Sequence, residues 1–571
     1  MIEVLDKLKR LLKKEEEPKR FTPTAKTRAG QLLEILRARQ AMEEGEKKKE
    51  KKQKEILRFP KFRVYPLRRF IMLPTEVRTQ VRYPLIEPYA YAVIKRDPKH
   101  NILTYNVMEP FLNEEEKIIL EKLKQGLVST INVSLRAIKN QEELMRFLEE
   151  QTQMLIAEYD LDLTPDQYLK IMYYIYRDFV GLNEIEPLMQ DPYIEDIGVD
   201  GVGVPVYVVH QRYGSLRTNI VWDDIEKLRD FVVKLAERCD RYISYAEPLL
   251  DGSLPDGSRV QATLASDVTT RGPTFSIRKF REEPYTPVDM IHLKTASPEL
   301  LAYLWFCIEQ RRNILICGGT GTGKTSFLNA ISLFIPIEAK VVSIEDTREL
   351  ALPHEHWIPG VTRASFTGTK VGEVTMFDLL RESFRQNPDY LIVGEIRGKE
   401  AYVMFQGMAS GHASFSTMHA GSLEDVIKRL ESPPIELSPA LLEMLDIVVV
   451  MVHAREYGKS ARRVKEVVEI QSIDRETGKA TAVKAFQWIP AEDRIEYRGY
   501  SWVLNKISIE RGIPIEKIRK EIEDRKLVLE WMAKKNVRGI NEVARYINMY
   551  RTSKERLMGL VRGEGSEVER E

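Results

Sequence analysis

The chain has 571 residues, 43% hydrophobic and 30% charged, with 87 Lys and Arg against 86 Asp and Glu. That length allows roughly three or four domains with real cores, and a net charge of +1 argues against nucleic acid as the main partner, a local basic patch aside. Only Cys239, Cys307 and Cys317 are present, without a CxxC pair, which argues against a disulfide framework or structural zinc site and for a reducing compartment.

Residues 1–14 (MIEVLDKLKRLLKK) place Met1, Val4, Leu5, Leu8, Leu11 and Leu12 on one helical stripe, with Lys7, Lys9, Arg10, Lys13 and Lys14 off it. This short basic amphipathic helix suits docking on an anionic membrane surface, or on a membrane protein, as well as it suits packing on its own domain. No signal-peptide pattern opens the chain, and no apolar run approaches the ~20 residues that span a bilayer. The tract up to Glu55 mixes both charge signs and reads as a solvated helix or arm. Residues 89–110 alternate as strands, with Asp97-Pro98 as the hairpin turn. Helical patterns follow over about 113–180, broken near Asn140 and at Thr164-Pro165. From Asp191 short apolar runs between Gly, Pro and Asp predict a small α+β domain, closed by linker chemistry at residues 282–287. Strands at 314–317, 341–344, 390–393, 414–417 and 447–452 then alternate with helices, which predicts a parallel α/β sheet. Beyond about Gly499 the pattern is helical. The expected division is 1–58 (amphipathic helix and charged arm), 59–184 (hairpin plus helices), 185–287 (α+β domain), 288–498 (α/β domain) and 499–571 (C-terminal helices).

Residues 318–325 read GGTGTGKT, a complete P-loop between a predicted buried strand and a helix that continues through Ser326. Gly318, Gly319, Gly321 and Gly323, with Thr320 and Thr322 between them, let backbone N–H groups curl around phosphate. The helix N-terminus adds its dipole. Lys324 would reach the β- and γ-phosphates of ATP, and the Thr325 hydroxyl would ligate Mg²⁺. Hydrolysis also needs carboxylates. Glu345 and Asp346 follow one predicted strand directly, and Glu395 follows another, so both strand ends converge on the P-loop crevice. Gly394 stands where a Walker B strand usually carries Asp, which leaves Glu395 to supply the metal-shell carboxylate. His419 falls at a further strand end, where an imidazole could sense a γ-phosphate.

The order GGTGTGKTS, VVSIEDTREL, LLRESFRQNPDYLIVGEIRGKEA and GHASFSTMHAGS resembles the secretion and pilus-assembly ATPase superfamily. YPLIEPYAYAVI, NVMEPFL and LALPHEHWIPGVTR are most similar to its archaeal flagellar and pilus branch. The resemblance implies a RecA-like P-loop motor domain behind an N-terminal α+β (PAS-like) domain, with helical extensions at both ends. It implies that Glu345 is the catalytic glutamate, Glu395 the Walker B glutamate and His419 the histidine box, with His412 as its GH element. Through LPDGSRVQATLASDVTTRGPTFSIRKF it implies that Arg259, Arg271 and Arg278 reach toward the nucleotide. It further implies a homo-hexamer on the cytoplasmic face of the membrane that hydrolyses ATP with Mg²⁺. Such a motor powers an archaeal flagellum, a type IV pilus or type II-like secretion through a polytopic membrane platform protein, with no nucleic acid partner. The four-cysteine zinc element of the bacterial type II enzymes is absent, so no zinc is expected. Two other classes share the P-loop: a RecA-like nucleic-acid motor, and a non-hydrolysing nucleotide switch, for which Gly394 is the best argument.

Overall fold

The structure, a computed structural model, describes residues 59–67, 71, 73–74, 76–77, 79–98, 100–130, 141–264, 266–280, 283–363, 372–456, 459–474 and 479–563. The basic stripe at 1–14 and the charged tract after it lie outside these residues. The chain forms two compact units: one runs to Tyr193 and includes Arg217–Ile220, and the other comprises Ile194–Leu216 and everything from Val221.

In the first unit β1 (Tyr65–Pro66), β2 (Gln80–Glu87), β3 (Ala90–Arg96) and β4 (Leu103–Met108) pair antiparallel in that order. The expected hairpin is β3–β4. β2 is an addition to it, and its ladder slips between Pro84 and Ile86, where proline cannot donate. Helices α1 (Glu114–Thr130), α2 (Gln141–Glu158), α3 (Pro165–Ile175) and α4 (Glu186–Met189) follow. The predicted break at Thr164-Pro165 is a helix start: Thr164 Oγ1 accepts from the Gln167 N–H at 3.3 Å, and Pro165 occupies the first turn. Buried Asp191 accepts from the hydroxyls of Tyr83 and Tyr105, each at 2.6 Å, and so ties β2 and β4 to the unit's end.

The second unit opens with β5 (Ile194–Val199), β6 (Pro205–His210), β7 (Gly214–Val221, whose Arg217–Ile220 belong to the first unit), α5 (Ile225–Arg238), β8 (Leu249–Ser253), β9 (Arg259–Thr263) and β10 (Thr274–Arg278). Its antiparallel order is β6-β5-β10-β9-β8. The predicted linker turns directly into α6 (Pro287–His292), because Thr286 and Asp289 form a capping box and Pro287 enters at the first turn.

The α/β part contains α7 (Pro298–Glu309), β11 (Ile314–Gly318), α8 (Lys324–Ser332), β12 (Val341–Glu345), β13 (Trp357–Val361), α9 (Met376–Ser383), β14 (Tyr390–Val393), α10 (Glu400–Ala409), β15 (Ala413–Met418), α11 (Leu423–Glu431), α12 (Pro439–Leu442), β16 (Ile447–Glu456), β17 (Lys459–Ile473), β18 (Ala480–Ile489) and β19 (Arg494–Tyr497). Its sheet runs β13-β12-β14-β15-β11-β16-β17-β18-β19, parallel through β16 and antiparallel beyond. The predicted parallel sheet is therefore mixed. Alternation explains why its strands read as unbroken apolar runs: in β11, Ile314 and Ile316 enter one core while Leu315 and Cys317 enter the other. Helices α13 (Trp502–Arg511), α14 (Ile515–Lys534), α15 (Ile540–Thr552) and α16 (Lys554–Arg562) close the chain. Val528, Leu529 and Met532 share the core of Ile314, so these helices cover one face of the sheet that carries the P-loop. Glu469, fully buried on β17, fixes them there by accepting from Ser501 Oγ at 2.6 Å and the Val503 N–H at 3.1 Å at the start of α13. The arrangement is a RecA-like P-loop domain preceded by an α+β domain. Cys239, Cys307 and Cys317 are free and buried.

Candidate functional site

Strand β11 delivers the loop from a fully buried position. Gly321 (φ 71°) and Gly323 (φ 87°) adopt left-handed backbone, which turns the chain tightly into α8. A Cβ on Gly318 would lie 2.6 Å from the Met451 carbonyl oxygen, so the strand end tolerates no side chain. Gly319, Thr320 and Gly321 are exposed at the tip, and Thr322 Oγ1 folds back to donate to the Gly319 carbonyl at 2.9 Å. No side chain caps the first turn of α8, which leaves its N–H groups open to an anion.

Lys324, 7% exposed, donates to the Gly319 carbonyl at 3.1 Å, and its Nζ stands 3.3 Å from His419 Nδ1. Burial pulls its pKa below the usual lysine range. Desolvation, and then the Lys324 charge, lower the His419 pKa too. A lysine can only donate, so Nδ1 accepts and the ring proton sits on Nε2. That nitrogen lies 2.9 Å from Glu395 Oε1, a close polar contact rather than an aligned hydrogen bond. Glu395 Oε2 accepts from Arg397 at 2.6 Å. Lys324, His419, Glu395 and Arg397 thus form one continuous chain of polar contacts. His412 stands apart, at the other end of β15, where it meets the Gly407 carbonyl at 3.3 Å and the Phe384 ring.

Glu345 ends β12 with 2% exposure. Its Oε1 accepts from the N–H groups of Glu349 (2.9 Å) and Leu350 (3.1 Å), whereas Oε2 is buried and has no partner. Burial, only partly offset by those two bonds, pushes its pKa up to about 7. Gly394 has its reason here: a Cβ on it would sit 3.2 Å from Glu345 Cγ. The atypical Walker B glycine makes room for the other carboxylate.

A crevice of about 160 Å³ opens beside the loop, lined by Arg259, Arg278, Thr325, Ser326, Asn329 and Glu349 among others. The register of β9 and β10 sets Arg259 directly opposite Arg278. Like charges facing each other on a sheet are unfavourable. Each is held by an aspartate: Arg259 by Asp251 at 3.0 and 3.3 Å, and Arg278 by Asp196 at 3.2 Å. The structure does not bring Arg271 into this crevice. It sits in the β9–β10 turn, where its carbonyl accepts from the Val202 N–H at 2.9 Å and its Cβ closes on Gly201.

Three further residues belong to the site and carry no recognisable pattern on their own. Arg397 follows Glu395 by two positions. Asn329 lies one turn beyond Thr325, 2% exposed, with its Oδ1 bound to the Ala351 N–H and its Nδ2 without a partner. The Arg348 guanidinium covers the Trp357 ring at 5.1 Å and also lines the crevice. Spacing from the P-loop would have flagged only Asn329, at i+4 from Thr325 on one helix face.

The family model for type II/IV secretion system proteins matches residues 209–486. PtlH, a type IV secretion system protein of Bordetella pertussis, is 31% identical over 345 residues, covering 54% of this chain and 97% of PtlH. The chain belongs to the type II/IV secretion system protein family. A longer likeness is to an uncharacterised protein of Methanocaldococcus jannaschii, 36% identical over 487 residues, 84% of this chain and 87% of that protein. A second protein of that organism is 44% identical over 239 residues, 42% of this chain and 88% of its own length. No helix among the described residues is long and apolar enough to cross a membrane.

Proposed function

We propose that this secretion-family protein is a Mg²⁺-dependent ATPase that acts as a homo-hexamer on the cytoplasmic face of a membrane. It drives assembly of an archaeal flagellum or type IV pilus, or type II-like secretion, through a polytopic membrane platform protein. In this scheme residues 185–287 regulate, residues 288–498 form the motor, and the stripe at 1–14 docks on membrane or partner. The carrying observation is Glu345: a buried carboxyl poised near pH 7, with one oxygen unpartnered, at the end of β12 against Gly394. A nucleotide switch needs no such group, whereas a general base works best with its pKa near the operating pH.

Lys324 and the loop N–H groups hold the β- and γ-phosphates. Thr325 and Glu395 would hold Mg²⁺, which supplies neutralisation of phosphate charge. Glu345 Oε2 takes the proton of the attacking water. His419 keeps Lys324 and Glu395 in register. Arg259 and Arg278 leave their aspartates to meet charge developing on the phosphoryl oxygens. Arg271, outside the crevice, takes no step within one chain. Gly394 is no defect in this scheme, because a side chain there would crowd Glu345.

Phosphate release by the purified full chain tests the proposal. Release that depends on Lys324 and rises with anionic vesicles carrying the platform protein supports it. Strong stimulation by single-stranded DNA, with no response to vesicles, would make it a nucleic-acid motor instead. Nucleotide binding without phosphate release would leave a switch.

A further inference from the structure

Two adjacent arginines on β17 point to opposite sides, as successive strand residues must. Arg463, 1% exposed, turns inward: its Nε and Nη2 donate to Asp493 at 2.8 and 3.0 Å, and its Nη1 donates to the Leu293 carbonyl at 3.0 Å. That anchorage fixes the strand. Arg462 consequently faces the P-loop, where its Nε donates to the Gly321 carbonyl at 3.0 Å. Its Nη2 also lies 3.8 Å from Glu195 on β5, a half-exposed contact. Across the ladder Arg462 pairs with His453 of β16. The loop glycines are shaped to this pair. A Cβ on Gly323 would lie 3.1 Å from Arg462 Cδ, and one on Gly321 would lie 3.2 Å from His453 Nε2.

We propose that Arg462 is a positioning residue that sets the P-loop for phosphate. In a planar trans peptide the C=O and the following N–H point in opposite directions. Holding the Gly321 carbonyl on the outside therefore turns the Thr322 N–H toward the inside of the loop, where an anion is bound. Without Arg462 that peptide, flanked by glycine, is free to flip. The β16–β17 hairpin, which no P-loop motif includes, becomes part of the nucleotide site. Glu195 contributes little, since an exposed pair at that distance is weak.

The inference rests on the nucleotide site proposed above, and binding of a fluorescent ADP analogue to the full chain separates the two. Arg462→Ala should weaken ADP binding about tenfold and raise KM for ATP in proportion, with kcat within about twofold of wild type. Arg462→Lys, which can still donate to one carbonyl, should recover most of that loss. The melting temperature should stay unchanged in both. Glu195→Gln should bind ADP within about twofold of wild type. Unaltered ADP affinity in Arg462→Ala, or an equal loss in Glu195→Gln, would overturn the proposal. So would a fall in kcat and melting temperature without a change in KM, which marks a merely structural role. If the folded wild type binds no ADP, the nucleotide site itself fails. If it binds, and Lys324→Ala abolishes binding while Arg462→Ala does not weaken it, only the role of Arg462 fails.

Discussion

The P-loop domain and the α+β domain hold their charges in opposite ways. On the P-loop side Lys324 and Glu345 are buried, Glu395 is nearly so, and desolvation sets the titration of the first two. On the α+β side Arg259 and Arg278 are exposed and rest on aspartates of neighbouring strands. Exposed pairs of that kind are worth about 0–1 kcal/mol, so exchanging Asp251 or Asp196 for a phosphate oxygen costs little. A buried charge has no such freedom. One set of charges is built in advance, and the other is ready to change partners. A hydrolytic site that is completed only when nucleotide arrives needs both.

The contrast predicts a ranking. Lys324→Ala removes a buried cation at the loop and should cut nucleotide affinity and turnover by about 10³-fold or more, read by analogue binding and phosphate release. Arg259→Ala or Arg278→Ala should lower kcat by about 10–10²-fold with little change in ADP affinity, because each acts only once it has left its aspartate. Equal losses in affinity would mean that the arginines are preorganised too, and the contrast would break. The wild-type kcat should fall as pH drops through about 7, where Glu345 takes up its proton, and Asp251→Asn should leave that midpoint in place.

Stability should show the same carboxyl with a definite sign. Its folded pKa of about 7 lies above the ordinary 4.5, so the folded state retains a proton that the unfolded state releases. Wild-type stability is then lost as pH rises from about 4.5 to 7, and Glu345→Gln should be the more stable protein above pH 7 by about 2 kcal/mol, with the gap closing near pH 5. Urea unfolding at the two pH values measures this. Smallest of all, Asp251→Asn or Asp196→Asn should change melting by less than about 1 kcal/mol.

What was legible in the sequence follows the same division. Glu345 directly follows an apolar strand, Glu395 follows another after Gly394, His419 ends a third strand, and Lys324 closes the glycine loop that a fourth delivers, so each buried parallel strand announces its own end. The strands themselves were readable for that reason. β17 was not, because Arg463, Glu466 and Glu469 are buried charges on a strand and imitate a solvated segment. β2 was hidden by Pro84, which sits within a paired strand at a ladder slip. The opposition of Arg259 and Arg278 is a matter of register between strands, which no local pattern encodes, and the same holds for the distance of Arg271 from the crevice. The meaning of Gly394 required the neighbouring strand: only the position of Glu345 shows why a side chain is absent there.

The central claim, that the buried Glu345 carboxylate turns nucleotide binding into hydrolysis, meets its most direct test in Glu345→Gln. Phosphate release and ADP-analogue binding should be measured on the same preparation. The account predicts release reduced by about 10²–10³-fold with affinity retained. Undiminished release in that variant would contradict it.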